Sequence, residues 1–320
     1  MYLSLFSKLT IIAILPAIGF FNNLDTNYTQ YCKGLVLSGG GSFGSFQNGI
    51  VSNIINNTDN TDNTDNYWDI ISGVSSGSIN AVYLSQFNKD HNLKQELYNM
   101  ENLWSNLKTK DVYNNEYLLN ELSLYDNTPL EKTINNLFYN TTIKNNIFVS
   151  STSLANKKKT VWDKQSIQKN IKDIIMASTS IPFYFPPYYF QSQYFVDGAV
   201  SSNILLEETI GFCKENYPLS KIQLTIILSD SYNFNTDNTQ EKNTIENVKV
   251  LTSYLENTIK NVIYYNQLSN IKLICESYKI NIKLYERNGL DNIDYLDFNQ
   301  GKKLWTHGFN LDYTKIVQVC

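Results

Sequence analysis

The sequence predicts an α/β fold, with a three-layer α/β/α arrangement in which helices cover both faces of a mostly parallel central sheet. Two observations support this class. Apolar strand-like segments alternate with helix-like segments along most of the chain, which is typical of a parallel sheet with helical connections. The chain has 320 residues, of which 42% are hydrophobic, so it is long enough and apolar enough to bury a large core.

The predicted elements follow from the spacing of the apolar residues. Short apolar runs predict strands at residues 34–38, 68–72, 147–152, 160–162, 194–196, 222–228 and 280–285. Helical spacing, such as that of Phe46, Ile50 and Ile54, predicts helices at residues 43–55, 76–87, 93–107, 128–138, 166–176, 244–268 and 298–307. Asn127 and Pro129 are residue types that cap and open a helix, so the fourth helix is expected to begin there.

The N-terminus is expected to be a leader segment. Lys8 precedes the uncharged stretch 9–21, which is too short for a bilayer span of about 20 residues but suits the apolar region of a signal peptide. Residues 1–30 are therefore expected to be a signal peptide or a membrane anchor, and an extra element packed on the core is the alternative. A secreted or membrane-associated protein is the corresponding expectation.

The rest of the chain is expected to form one domain. Residues 31–230 carry the candidate site, and residues 231–320 are expected to complete the same domain because no Pro/Gly-rich linker separates them. Residues 57–66 form a polar repeat of Asn, Thr and Asp that has nothing to bury. We expect this repeat to be a disordered surface insert.

Charge and cysteine content exclude some classes of partner. The formal net charge is −4 and the one basic run, residues 157–159, suits a solvated hairpin turn, so nucleic-acid binding is not expected. The four cysteines are widely spaced and lack C-x-x-C pairs, so a metal site is not indicated. Disulfides and free thiols both stay open for these cysteines, which are Cys32, Cys213, Cys275 and Cys320.

Two predicted strands end in glycine-rich turns. The first leads into the glycine loop, which consists of Gly39, Gly40, Gly41, Ser42, Phe43 and Gly44. Glycines lack a Cβ, so their N–H groups can approach a developing oxyanion closely. The second strand leads into the serine turn, which consists of Gly73, Val74, Ser75, Ser76 and Gly77. A G-x-S-x-G turn between a strand and a helix presents its serine as a nucleophile, so the two turns together predict a serine hydrolase.

The nucleophile needs a base within hydrogen-bond reach. The chain has two histidines, His91 and His307, and neither lies at the end of a predicted strand. Asp197 does end a predicted strand, and the following Gly198 leaves room for its carboxylate to face the serine. Asp197 is therefore the preferred base, His307 is the second candidate, and an ordinary Asp-Gly turn is the structural alternative.

The glycine loop also fits the dinucleotide-binding pattern G-x-G-x-x-G, at Gly39, Gly41 and Gly44. That pattern needs an acidic residue about 20 residues further on, at the end of the next strand. Here this distance falls in the polar repeat, and Asp69 lies inside the second predicted strand. A dinucleotide-binding Rossmann protein is therefore the less favoured alternative.

Four sequence blocks resemble, in order, those of the patatin-like phospholipase family. They are the glycine loop, residues 73–80, residues 177–187 and residues 197–199. The resemblance extends from Gly34 to about Asn203 and implies a patatin-like fold. It implies Ser75 as nucleophile and Asp197 as base. It further implies an oxyanion hole formed by the backbone of Gly39, Gly40 and Gly41, and supporting turns at Gly44, Gly73, Gly77 and Gly198.

The resemblance also implies a substrate. Members of this family hydrolyse acyl esters of membrane lipids without a metal or another cofactor. The expected partners are thus membrane phospholipids or other acyl lipids, reached through peripheral contact with the membrane. Residues 183–190 are a dense aromatic segment, and we expect its rings to be partly exposed near the site, because aromatic side chains with polar tips suit a membrane interface or the wall of an acyl channel.

Two positions depart from the family pattern. Family members usually carry arginine or lysine where this chain has Phe43, which weakens a contact that holds the glycine loop. The block after the Asp-Gly pair usually continues to Asn-Pro, whereas Asn203 is followed here by Ile204. Neither departure removes a catalytic atom. A catalytically weak or inactive lipid-binding protein of the same fold is the alternative to an active enzyme.

Overall fold

The computed structural model describes residues 31–57, 67–88, 91, 93–114, 123–229, 248–278, 280–287, 289–290, 293–311 and 317–318, with backbone alone for 248–260 and 317–318. The expected leader at 1–30 and residues 58–66 of the predicted insert lie outside this range. So do residues 230–247, where the first part of the domain was expected to end and the second, from 231, to begin.

A single sheet contains nine strands of the described residues. The strands are β1 (Cys32–Leu37), β2 (Ile70–Val74), β3 (Asn146–Ser153), β4 (Lys158–Trp162), β5 (Tyr188–Phe190), β6 (Gln193–Asp197), β7 (Ile222–Leu228), β8 (Asn281–Glu286) and β9 (Val317–Gln318). Their order is β5-β6-β3-β2-β1-β7-β8-β9, and β4 pairs with β3. The central strands β3, β2, β1, β7 and β8 are parallel, and the outer pairings are antiparallel.

Helices connect these strands and cover them. They are α1 (Gly44–Asn57), α2 (Ser76–Leu84), α3 (Leu93–Asn106), α4 (Thr128–Leu137), α5 (Lys164–Lys169), α6 (Ile171–Thr179), α7 (Leu206–Lys214), α8 (Val248–Tyr278) and α9 (Gly301–Phe309). None of the described helices combines the length and the apolar character needed to cross a bilayer.

The core has two halves, one on each face of the sheet. Successive side chains of a strand point to opposite faces. On β1, Leu35 and Leu37 accordingly pack in the cluster that contains α1, α2, α3 and α9. Val36 packs on the other face, in the cluster that contains Ile210 of α7 and Ile271 of α8. The predicted three-layer α/β/α fold with a mostly parallel sheet is confirmed.

Three local predictions need correction. The helix expected at 166–176 is two helices, α5 and α6, which are separated at Asn170, a residue with a φ of −144°. Asn127 does not cap α4 with its side chain. The Asp126 carboxylate accepts the Thr128 N–H instead, at 2.9 Å. The hairpin partner β5 was not expected, because its turn residues Gln191 and Ser192 adopt positive φ without the usual Asn or Gly.

A disulfide fastens the first strand to a helix. Cys32, the first residue of β1, is bonded to Cys213 of α7, and the two Cα atoms are 5.7 Å apart, within the usual range for a disulfide. Cys275 is disulfide-bonded as well. Of the two possibilities that the sequence left open, the structure therefore has disulfides at these positions.

Candidate active site

Ser75 lies on a sharp turn between β2 and α2. Its backbone φ is 53° and ψ is −126°, a conformation that a residue with a side chain rarely adopts and that is held only by the surrounding structure. The turn requires glycine on both sides of the serine. A Cβ on Gly73 would lie 2.2 Å from the Gly77 carbonyl oxygen, and a Cβ on Gly77 would lie 2.6 Å from the Leu37 carbonyl oxygen. The sequence therefore folds here into a nucleophile elbow.

Asp197 is the last residue of β6, and its carboxyl group lies near the Ser75 side chain. Ser75 is close enough to lower the pKa of this carboxyl group as a hydrogen-bond partner, and the Ala199 N–H donates to Oδ1 at 2.9 Å. The Asp197 side chain is only 3% exposed. Burial raises the pKa of Asp197 to about 6, although both hydrogen bonds favour the charged form and lower it. The carboxylate is thus charged at neutral pH and close to the pKa at which it would take up a proton.

Sheet pairing explains how residues so distant in sequence meet. Val74 at the end of β2 pairs with Ser150 of β3, and the next residue of β3, Ser151, pairs with Asp197. Ser75 and Asp197 therefore lie at the same edge of the sheet, on either side of β3. Gly198 makes this approach possible, because a Cβ there would lie 2.5 Å from the Ser150 carbonyl oxygen.

The glycine loop lies directly beside the serine. A Cβ on Gly39 would lie 2.9 Å from the Cβ of Ser75. The Gly39 N–H already donates to Oδ1 of Asn203, at 2.9 Å. For the Gly40 and Gly41 N–H groups, no acceptor occurs among the described residues. Of the three amides expected to form an oxyanion hole, those of Gly40 and Gly41 are therefore available, and the Gly39 amide has another acceptor.

The C-terminal part of the chain packs against the same loop through Tyr295. Gly41 has a φ of +57°, and a Cβ there would lie 2.2 Å from the Tyr295 carbonyl oxygen. That oxygen also accepts the Ser42 N–H at 2.7 Å. Gly44 opens α1 against Trp104, whose Cη2 would lie 2.5 Å from an added Cβ. Close packing thus requires glycine at these loop positions, and Gly41 also needs it for its left-handed backbone.

The other candidate residues that the sequence offered, the two histidines and Asp69, do not fill the roles considered for them. The His91 ring contacts Glu96 at 3.2 Å, and the His307 ring packs 5.8 Å from the Phe46 ring, so neither is placed as the partner of Ser75. Asp69 accepts the N–H of Lys33 near the start of β1, which is the end of the sheet opposite to the glycine loop. An acidic residue in that place cannot serve a dinucleotide ribose at the loop.

Sequence reasoning missed two residues that hold the site. The Ser75 N–H donates to the Ser178 hydroxyl at 2.9 Å, and Asn203 holds Gly39 as described. Ser178 lies in the block at 177–187. Asn203 lies at the end of the stretch that resembles the family, and it drew notice only because no proline follows it. No sequence signal linked either side chain to its partner, since more than 100 residues separate each pair.

The aromatic segment 183–190 is partly exposed, and one of its rings contacts a residue that packs on the glycine loop. Phe183 is 74% exposed and Tyr189 is 60% exposed, while Phe185 is buried, so the expected partial exposure of this segment is confirmed. The Tyr184 ring centroid lies 5.9 Å from that of Tyr295, the residue that closes the loop over Gly41. The rings in mutual contact are called here the aromatic wall, and they are Tyr113, Tyr125, Tyr184, Phe185 and Tyr295.

Comparisons with known proteins agree with the sequence blocks. The sequence model of the family described as "Patatin-like phospholipase" matches residues 35–210, more than half of the chain. No curated protein matches the sequence significantly. A solved structure titled "Crystal structure of VipD from Legionella pneumophila" is similar with a TM-score of 0.35 and 11% identity. This match covers 88% of the present chain and 67% of the other.

Proposed function

The chain belongs to the patatin-like phospholipase family, and from this premise we propose that it cleaves carboxylic esters of membrane lipids with Ser75 as nucleophile and Asp197 as base. The observation that carries the proposal is the placement of Ser75 and the buried Asp197 on either side of β3, close enough for Ser75 to lower the pKa of the Asp197 carboxyl group. A serine hydroxyl is a weak nucleophile until a base in contact with it removes its proton.

The proposed reaction has two steps. Asp197 accepts the Ser75 proton while Oγ attacks the ester carbonyl, and the same carboxyl then delivers the proton to the departing alcohol, which leaves an acyl-enzyme. Asp197 next takes a proton from the water that attacks the acyl-enzyme, and it returns this proton to Ser75 Oγ as the bond to the acyl group breaks and the fatty acid leaves. A carboxylate with a pKa of about 6 is suited to both directions of transfer near neutral pH.

The glycine loop supplies the electrostatic part of the proposal. In each step the carbonyl oxygen becomes an oxyanion, which backbone N–H groups stabilise most where they are fixed beforehand. The Gly40 and Gly41 amides follow Gly39, which lies beside Ser75, and they have no other acceptor among the described residues, so they suit this role. Loss of one such donor typically costs about 2.7–4 kcal/mol in transition-state stabilisation.

The substrate class follows from the surroundings. We propose that the aromatic wall contacts the acyl chain, because its rings are apolar and reach the glycine loop through Tyr295. The exposed rings of Phe183, Tyr189 and Tyr194, with the exposed Val200 three residues after Asp197, suit peripheral contact with a lipid surface. Phe183→Ser should lower sedimentation with phosphatidylcholine vesicles, whereas Tyr139→Ser, at an exposed ring of α4's C-terminal turn, should not.

An oxidising location is part of the same proposal. Disulfides persist in secreted and extracellular proteins and are rare in the cytosol, so the Cys32–Cys213 bond supports passage through the secretory pathway. The apolar stretch at residues 9–21 would serve as its signal peptide or anchor. Alkylation of the protein from its native source, before and after reduction, tests this: label on Cys32 without reductant contradicts it.

The decisive experiment uses a fluorophosphonate probe and a short-chain fluorogenic ester. Labelling of wild type should map to Ser75 and be lost in Ser75→Ala, and ester turnover should fall at least about 10³-fold in Ser75→Ala and Asp197→Asn. Ser85→Ala is the matched control, since Ser85 is also buried but lies at the other end of α2, where its hydroxyl donates to the Val82 carbonyl oxygen.

The result also separates the enzyme from an inactive lipid-binding protein of the same fold. Vesicle binding without probe labelling and without turnover would favour the latter and defeat the proposal. Turnover that survives in Ser75→Ala would point to another nucleophile.

A further inference from the structure

Arg287 is the sole arginine of the chain, and it lies over the glycine loop. It follows the last residue of β8, and its guanidinium carbon is 4.1 Å from the centre of the Phe43 ring. A guanidinium over an aromatic face at this distance is a stabilising cation–π pair. Phe43 is itself part of the glycine loop and is buried.

The same guanidinium begins a series of hydrogen bonds that ends in the loop. Arg287 Nε donates to the Ser229 carbonyl oxygen at 3.0 Å. The Ser229 N–H donates to the Ser38 hydroxyl oxygen at 2.9 Å, and this hydroxyl donates to the Gly39 carbonyl oxygen at 3.1 Å. Each of these backbone groups is buried or nearly so, so the bonds form where water does not compete with them.

Both partners of Arg287 contact Gly40. A Cβ on Gly40 would lie 2.2 Å from the Cβ of Ser229, so the Ser229 side chain lies directly against the Gly40 backbone. The Phe43 N–H donates to the Gly40 carbonyl oxygen at 3.1 Å. A shift of Ser229 or Phe43 would therefore turn the peptide planes on either side of Gly40, and with them the direction of the amides that face the oxyanion.

Sheet topology makes this arrangement available. β1, β7 and β8 are adjacent and parallel, so the glycine loop, Ser229 and Arg287 follow the same ends of neighbouring strands. Arg287 is itself fixed from the far side, because its Nη1 donates to the Leu290 carbonyl oxygen at 3.0 Å. The side chain thus connects the turn after β8 to the turn after β7 and to the loop after β1.

We propose that Arg287 is a positioning residue that holds the Gly40 amide in place for the oxyanion, through its contacts with Phe43 and Ser229. This inference rests on the proposed function. Arginine suits the role because its planar guanidinium stacks on a ring and donates in its own plane at once, whereas a lysine ammonium is a point charge.

The kinetic test compares kcat and KM of wild type, Arg287→Ala and Arg287→Lys on a soluble ester. Arg287→Ala should lower kcat at least about tenfold with KM within about twofold, because the amide acts on the transition state. Arg287→Lys should recover only part of this. Lys302→Ala is the control, since it removes a cation from over the Trp305 ring, away from the loop, and should leave kcat unchanged.

A rescue experiment separates positioning from general stability. Phe43→Arg introduced into Arg287→Ala returns a cation to the same place from the loop itself, and it should bring kcat to within about threefold of wild type. An unchanged kcat in Arg287→Ala, or a loss that Phe43→Arg does not restore, overturns the inference. If Arg287→Ala does not fold, the partial loss in Arg287→Lys decides: full wild-type kcat there, at equal KM, also overturns it.

Amide exchange gives a readout that does not need activity. Hydrogen exchange of a peptide that covers the glycine loop should be at least about tenfold faster in Arg287→Ala than in wild type, while a peptide from α4 keeps its rate. Unchanged loop exchange overturns the inference even if turnover falls. A wild type that neither labels at Ser75 nor turns over esters defeats the proposed function, and the exchange rates then still decide whether Arg287 holds the loop.

Discussion

The two halves of the candidate site differ in where their energetic cost lies. Ser75 sits on a backbone with a φ of 53° that glycine neighbours make possible. Asp197 has an ordinary negative φ of −44°, and its unusual property is a buried carboxylate with a raised pKa. The energetic cost of the serine half thus lies in a strained backbone conformation, and that of the acid half lies in the lost hydration of the carboxylate. Substitutions in the first should act at every pH, and those in the second should depend on pH.

Gly77→Ala should be the most damaging test of the serine half. Its Cβ would lie 2.6 Å from the carbonyl oxygens of both Leu37 and Ser38, and backbone atoms cannot move aside as a flexible side chain can. We expect a loss of about 3 kcal/mol in the free energy of unfolding, measured with urea at pH 8 and again at pH 5.

Gly211→Ala is the matched control for that substitution. Gly211 lies inside α7 with nothing within 4 Å of an added Cβ, so alanine should stabilise the helix by up to about 1 kcal/mol. Equal effects of the two substitutions, or a Gly77→Ala effect that changes with pH, would contradict the conformational account of the serine turn.

Asp197→Asn should stabilise the protein while it abolishes turnover. The pKa of Asp197 is about 6 in the folded protein, against an ordinary value of 3.8. Because the folded pKa is the higher one, the stability from the protonated carboxyl is complete below pH 3.8 and is lost as the pH rises through 6. Asparagine carries no charge, so the variant should gain up to about 3 kcal/mol at pH 8 and nearly nothing at pH 3.5.

Asp163→Asn provides a comparison of opposite sign. Hydrogen bonds from Ser166 lower the pKa of Asp163 at the N-terminus of α5. Its charged form therefore stabilises the fold above the unfolded pKa, and the asparagine variant should be less stable at pH 8 than at pH 3.5, relative to wild type. An Asp197→Asn variant that is destabilised at both pH values would show that the carboxylate is not the desolvated group proposed here.

The pH dependence of turnover tests the same carboxylate in action. As the base, Asp197 must be charged, so kcat/KM on a neutral ester should fall about tenfold for each pH unit below 6 and be level above it. An ordinary aspartate would keep its activity down to pH 4. A level profile between pH 4.5 and 8 would exclude a base with a raised pKa.

Local requirements of the backbone could be predicted from the sequence. The glycine loop and the serine turn each lie within a few consecutive residues, so the glycines that their geometry demands are visible as motifs. The strand predicted at 222–228 has the observed bounds. A central parallel strand is buried on both faces, so its apolar residues form a nearly continuous run that is visible in the sequence.

Contacts between distant residues could not be predicted in the same way. The Cys32–Cys213 bond joins residues 181 positions apart, and spacing alone does not determine such pairing. Asn203 and Arg287 reach the glycine loop only because the sheet brings the ends of other strands beside β1. The β5–β6 hairpin was missed because Gln191 and Ser192 are unusual residues for its turn.

Ser178→Ala should have the smallest effect and shows whether the strained turn also depends on a side chain. The Ser178 hydroxyl accepts the Ser75 N–H at 2.9 Å, and its loss leaves that buried amide without this acceptor. We expect a cost of about 1 kcal/mol, or about fivefold in kcat/KM. Ser180→Ala is the matched control, because Ser180 is equally buried but donates to the Met176 carbonyl oxygen. If both variants lose stability alike and only Ser178→Ala loses turnover, the Ser178 hydroxyl orients the nucleophile. If turnover falls equally in both, the Ser178 hydroxyl has no specific role, and the glycines alone set the conformation of Ser75. The energetic cost of the serine half then lies entirely in its backbone conformation.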